Sequence, residues 1–213
     1  MDPFLTILSG LPTTIALSVL ALAIGALVGL PLMLARRARN LLIRVPARTA
    51  IDILRAVPPI VWLFIIFFGL AETGVQLSPF VAAVVGLGAI SAGYLAEVYR
   101  GGLMAVDKGQ WEAGQALGLP TRDTYRYVLA PQAWRAALPA AATYAIGLIK
   151  DTAIAYTIGV NEVLFEANHE AQLGTASPLA ILAFAGLLYA ILSVAVGMAS
   201  RRLDRRLQLV VAR

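Results

Sequence analysis

The sequence predicts an all-α integral membrane protein with five transmembrane helices and one short helix held outside the bilayer. Three observations predict it. Of the 213 residues, 60% are hydrophobic, where a soluble domain has about 45–50%, and the mean hydropathy is +0.80. Five long stretches are almost free of charge. The basic residues sit between those stretches on alternate connections. A chain of this length fits one domain. Its expected parts are an outer segment at 1–10, a membrane domain at 11–205 and a cytoplasmic tail at 206–213.

The uncharged stretches are residues 3–35, 56–71, 73–96 and 171–200, and residues 136–161 carry only Lys150 and Asp151. A helix crosses a bilayer with roughly 20 apolar residues. Four stretches exceed that. The 56–71 stretch is slightly short, and Arg55 and Glu72 reach the interfaces from its ends by snorkelling. A soluble bundle does not account for uncharged runs of this length. The N-terminal run lacks a positive leading segment and is too long for a secretory signal, so it reads as a retained span.

An odd number of spans puts the termini on opposite sides. Of 17 Lys and Arg, all but Lys150 fall on one set of connections. The other set holds Asp2, Glu72, Glu162, Glu166, His169 and Glu170. The positive-inside rule therefore places the N-terminus outside and the C-terminus in the cytoplasm. The net charge of +5 is accordingly a topology signal that meets anionic lipid headgroups, and nucleic acid is not implied. With no Cys and one His, neither a disulfide framework nor a metal cluster is expected, and no cofactor is implied.

Within the spans, Gly25 and Gly29 form a G-x-x-x-G pair, and Gly86, Gly88, Gly147, Gly186 and Gly197 recur. Such residues let helix backbones approach closely, and packing inside the chain is the favoured use. Pro58 and Pro59 shape the start of the second span. Glu97 and Arg100, at i and i+3, read as a local ion pair. His169 reads as part of a solvated outer loop.

The connection from 100 to 135 carries structure of its own. Asp107 is suited to cap a helix from 108 to 117, with Gln110 as capping-box partner. Gly118 follows as the left-handed residue and Pro120 stops the helix. Trp111, Gly114 and Leu117 share one face. Thr121 caps a second helix that ends before Pro131. Such a capped helix either docks on a partner protein or rests on headgroups; the residues alone leave both open.

Here the sequence resembles a known family. Glu112-Ala113-Gly114, Gly118 and Val128-Leu129-Ala130-Pro131 keep the spacing of the EAA loop of binding-protein-dependent ABC permeases, with Gly114, Val128 and Ala130 as departures from its residue types. The segment from Tyr94 to Gly102 is similar to the polar amino-acid subfamily. So are Lys108-Gly109-Gln110, Ala116-Leu117-Gly118-Leu119, Pro131-Gln132-Ala133, Leu138-Pro139, Lys150-Asp151-Thr152 and Ile158-Gly159-Val160. Arg55 and Pro58 stand where that subfamily carries R-G-T-P, although Ala56 and Val57 differ. The resemblance runs from about residue 13 to 206.

That resemblance implies a permease subunit of an ATP-driven amino-acid importer in a bacterial inner membrane. It implies docking of the loop helix on a cytoplasmic ATPase dimer through Gln110, Trp111, Glu112, Ala113, Gly114, Leu117 and Gly118. It also implies a second permease, the same chain or a related one, an extracytoplasmic amino-acid-binding protein, and alternating access driven by ATPase closure. Arginine, histidine, glutamine, glutamate, cystine and opine-like compounds are all candidate cargo. The chain is not expected to be an enzyme. A P-loop needs Gly-Lys-Ser/Thr, whereas Asp107 precedes Lys108 and Ile149 precedes Lys150.

Lys150 and Asp151, charged within an apolar stretch, invite a functional reading. They match the two ends of an amino acid, with Thr152 and Tyr156 adding hydrogen bonds. Bracing by neighbouring helices is the favoured alternative. A secondary transporter or channel working without ATP also suits an intramembrane Lys and Asp, but leaves the capped loop helix unexplained.

Overall fold

The structure, a computed structural model, describes residues 2–209, with side chains described through residue 203. The described residues fold into helices and short connections. Helix α1, Pro3–Ser9, starts where the Asp2 carboxylate accepts the Phe4 N–H at 3.0 Å. Gly10 separates it from α2, Leu11–Arg36, and the two together form one long apolar unit. Helix α3, Leu41–Ala56, is capped by Asn40, whose side chain accepts the Leu42 N–H at 2.9 Å.

Pro58 then turns the chain by 106° into α4, Pro59–Glu72, which carries a π-helical turn at Ile65–Gly69. The proline pair shapes this start as expected, since Pro58 lies extended and Pro59 opens the helix. Helix α5, Pro79–Met104, is capped by Ser78. Helix α6, Lys108–Ala116, stands on the loop. A helical turn at Thr121–Asp123 and a π-helical turn at Thr124–Leu129 lead into α7, Ala130–Asp151. A 3-10 segment at Thr152–Ile158 follows, then α8, Val163–Leu173, and α9, Pro178–Leu209.

Helix α5 is the centre of the fold and is mostly buried, whereas α1–α2 and α9 bury only a minority of their residues. The main core joins Leu17, Leu63, Leu87, Ile90, Leu148 and Ile158 from α2, α4, α5, α7 and the 3-10 segment. A second cluster gathers Ile7, Val163, Ala167, Ile181 and Leu188 at the N-terminal end of the chain's first helices. Along α2, a Cβ on Gly25 would lie 2.3 Å from the Ser91 Cβ, and one on Gly29 would lie 3.0 Å from the Ala92 carbonyl oxygen. The G-x-x-x-G pair therefore closes the α2–α5 seam inside the chain. Leu5, Val19, Leu27, Leu182 and Ile191 remain exposed, as apolar residues facing lipid must.

Among the described residues, three helical units are long and apolar enough to cross a membrane: Pro3–Arg36, Pro79–Met104 and Pro178–Leu203. The bent α3–α4 pair raises the count to four. Two of the expected stretches depart from simple spans. Helix α4, in the second stretch, is only 14 residues long, roughly 21 Å at 1.5 Å per residue, against a hydrocarbon core of about 30 Å. The fourth stretch does not run as one helix from 136 to 161; α-helical geometry stops at Asp151 and tightens to 3-10. Helix α3 is an addition to the sequence reading, which treated its residues as a connection. The 210–213 end of the expected tail lies outside the described residues.

Candidate functional site: the loop helix and its anchorage

Helix α6 begins where the Asp107 carboxylate accepts the Gly109 N–H at 2.7 Å, which satisfies an otherwise unpaired first-turn donor. The expected capping box does not form in full. The Gln110 side chain turns away and accepts a hydrogen bond from Gln132 Nε2 at 3.1 Å. The helix ends one residue earlier than expected, at Ala116, with Leu117 as its C-cap. Gly118 takes φ +69°, and the Leu119 N–H returns to the Gly114 carbonyl at 3.0 Å, closing the end with a left-handed turn. Thr121 is not the cap of the next helix. Pro120 holds that position, and the Thr124 hydroxyl donates to its carbonyl at 3.2 Å.

Three contacts hold α6 to the π-helical turn and the first residues of α7. Gly114 is buried against Thr124; a Cβ there would meet Thr124 Cγ2 at 2.6 Å. Trp111 is partly buried and packs on Tyr125 with ring centroids 5.3 Å apart. Gln132 bridges Gln110 and the Val128 carbonyl. The loop residues thus divide. Gly114 and Trp111 face their own chain, and Gln110 ties back to α7. Glu112, Ala113, Leu117 and Gly118 are exposed, Leu117 at 78%.

Beside this unit, α2, α3 and α5 are joined by charges. Glu97 pairs with Arg100, at 2.8 Å, as the local spacing predicts. It also pairs with Arg36 across the helix seam at 2.6 Å, both side chains being mostly buried (19% and 15% exposed). Asp52 of α3 lies 3.6 Å from the same Arg36 nitrogen. Spacing within α5 reveals the Arg100 partner; the Arg36 partner, 61 residues earlier in the numbering, has no local signal. Deeper in the fold, Ser91 and Tyr144 share a hydrogen bond of 2.8 Å, Tyr94 stacks on Tyr144 at 5.0 Å, and the Arg55 guanidinium lies 5.3 Å above the Tyr94 ring.

The other candidate residues lie at the end of α7, not mid-helix. Lys150 is exposed and Asp151 half-buried, and no ion pair joins either to a described residue. The Thr152 hydroxyl is buried and donates to the Ile149 carbonyl at 2.7 Å. Tyr156 is partly buried in the 3-10 segment. The structure brings these residues together only as sequence neighbours.

The fold defines a polytopic helical membrane protein whose loop helix is packed on its own chain. Residues 21–209 match the family described as "Binding-protein-dependent transport system inner membrane component". The chain is 38% identical over 167 residues to the probable amino-acid ABC transporter permease protein YckA of Bacillus subtilis, covering 78% of this chain and 74% of that one. It is 35% identical over 206 residues to the glutamine transport system permease protein GlnP of Escherichia coli K12, covering 96% and 94%. A crystal structure of an amino acid ABC transporter with histidines superposes with a TM-score of 0.89 at 31% identity, covering 94% of each chain. The chain therefore belongs to the family of inner-membrane components of binding-protein-dependent transport systems.

Proposed function

We propose that this chain imports a polar amino acid as one of two permeases driven by a separate ATPase dimer. The observation that carries this reading is the placement of α6. It is fixed to the π-helical turn before α7 by Gly114 and Trp111 and to α7 itself by Gln110, yet it leaves Glu112, Ala113, Leu117 and Gly118 outward for a partner. A helix held this rigidly transmits a push on its outer face to α7 and α5 without absorbing it. The packing of Gly102 against Ala133 and Ala137 extends that path between α5 and α7.

In this reading the membrane domain spans residues 11–205 and crosses the bilayer five times. The crossings are the α1–α2 unit, α4, α5, α7 with its 3-10 extension, and α9. The N-terminus is outside and the C-terminus cytoplasmic, because Arg36, Arg100, Lys108 and Arg122 fall on one set of connections. An extracytoplasmic binding protein delivers cargo to the opposite end, near Glu162, Glu166 and Glu170. The names of the relatives support an amino acid as cargo, and Lys150 and Asp151 are the charges available to meet it. The chain itself hydrolyses nothing.

The sequence contains no Cys, so a single introduced cysteine reports cleanly. Leu117→Cys is expected to cross-link to cysteines placed in the groove of the partner ATPase. Cysteine replacing the half-buried Asp151 serves as the control that does not. Absence of any ATPase cross-link from the outer face of α6 would overturn the reading.

A further inference from the structure

An open cavity of about 930 Å³ lies between α2, α5 and the beginning of α7, on the outside of the helix bundle. Its walls are apolar along most of their length, formed by Leu27, Leu30, Leu34 and Trp134. Leu27 is 76% exposed there, although it faces other apolar groups across the groove. Three arginines also line it, Arg37 at the C-terminal end of α2 and Arg122 and Arg126 on the turns that lead into α7. No acidic side chain lines the cavity, and none of the three arginines pairs with a carboxylate among the described residues. Arg126 packs over the Tyr127 ring at 5.4 Å. Residues far apart in sequence thus build one site that is both apolar and cationic.

We propose that this groove binds one anionic phospholipid of the cytoplasmic leaflet, with its headgroup phosphate on Arg37, Arg122 and Arg126 and its acyl chains against Leu27, Leu30, Leu34 and Trp134. The chemistry selects that occupant. A soluble anion has no use for the apolar length, and a zwitterionic lipid, whose phosphate is already balanced by its own headgroup cation, brings no net negative charge to three guanidinium groups. Basic pockets between transmembrane helices on the cytoplasmic side bind anionic headgroups in this manner. Trp134 sits where an amphipathic ring marks the interface. The site has a mechanical consequence. Tyr125 lines the groove and also packs on Trp111, so the lipid braces the turn that carries α6.

The test uses the full transporter, permease with ATPase, in nanodiscs of equal phosphatidylglycerol and phosphatidylcholine. Native mass spectrometry then counts the lipid retained on the protein. The wild type is expected to retain phosphatidylglycerol preferentially. Arg122→Gln with Arg126→Gln is expected to lower that preference about 25-fold, at about five-fold per arginine. Should that variant fold poorly, brominated lipids give a second reading on native arginines. Brominated phosphatidylglycerol quenches the share of emission lost in Trp134→Phe more strongly than brominated phosphatidylcholine does. An unchanged lipid preference in the arginine variant, or equal quenching by the two brominated lipids, overturns the proposal. So does loss of ATPase binding at unchanged lipid preference, which would assign the arginines to the ATPase.

Discussion

Gly114 lies against Thr124 so closely that a Cβ would meet the Thr124 methyl at 2.6 Å. This contact explains why the loop reads Glu-Ala-Gly where the family pattern has a second alanine. The glycine is a packing position within the chain. In a helix interior it costs about 1 kcal/mol against alanine, and the chain accepts that cost to seat α6 on the turn before α7.

Gly114→Ala is therefore expected to weaken the loop despite its better helix propensity. Overpacking costs about 1–3 kcal/mol, which offsets or exceeds the gain. Thr124→Ser removes the clashing methyl and is expected to restore function in the double variant. Transport rate and thermal unfolding of the single and double variants check this. Equal behaviour of Gly114→Ala and wild type would mean that α6 is not seated as described.

The Arg36–Glu97 pair joins α2 to α5 at 2.6 Å. Removing one partner of a fully buried pair costs about 3–5 kcal/mol. Partial exposure here, and the continued presence of Arg100 beside Glu97, reduce that to about 2 kcal/mol for Arg36→Met. Exchange of the two charges, Arg36→Glu with Glu97→Arg, is expected to recover part of the loss. Thermal unfolding in detergent measures both.

Glu162 opens α8 from a fully buried position. Its carboxylate accepts the Phe165 N–H at 2.8 Å and the Tyr189 hydroxyl. Burial raises its pKa above the ordinary value, and the hydrogen bonds from Tyr189 and the backbone only partly counter this. The raised folded-state value means that the group favours folding most in acid. Its contribution then falls as pH rises from the ordinary carboxylate range through the raised value. Glu162→Gln keeps the cap and is expected to flatten this part of the pH profile. Glu162→Ala loses the cap, at about 1 kcal/mol. Unfolding temperatures from about pH 5 to about pH 8 separate the two.

Lys150→Ala distinguishes the two roles open to that residue. Loss of transport for acidic or zwitterionic cargo, with normal unfolding temperature, places Lys150 in the path. A lower unfolding temperature with unchanged cargo selection assigns it to helix bracing.

The sequence was informative where a signal is local. Asp107 and Gly118 bracket α6 because capping chemistry acts over a few residues. Glu97 and Arg100 lie one helical turn apart. The apolar stretches mark the long helices because burial in lipid demands continuous apolar length. Helix α3 was legible but obscured. Arg44, Arg48, Asp52 and Arg55 recur at helical spacing, with Ala47 and Ile51 buried between them, yet their charge made them resemble a connection. The inward use of Gly114, the Arg36–Glu97 pair and the arginine groove were not legible. Each depends on residues that only the folded chain brings together. The stop of α7 at Asp151 was hidden for a related reason, because hydropathy does not distinguish α-helical from 3-10 geometry.

The most direct test of the account is substrate-stimulated ATP hydrolysis in vesicles that hold this chain, its ATPase and its binding protein, with a panel of amino acids. Wild type is compared with Glu112→Lys, a change at an exposed side chain of α6 that makes no hydrogen bond or ion pair among the described residues. Stimulation by one or a few polar amino acids is expected, and loss of that stimulation in Glu112→Lys at unchanged folding. Uptake that proceeds without any associated ATPase, driven by an ion gradient and indifferent to Glu112→Lys, would contradict it.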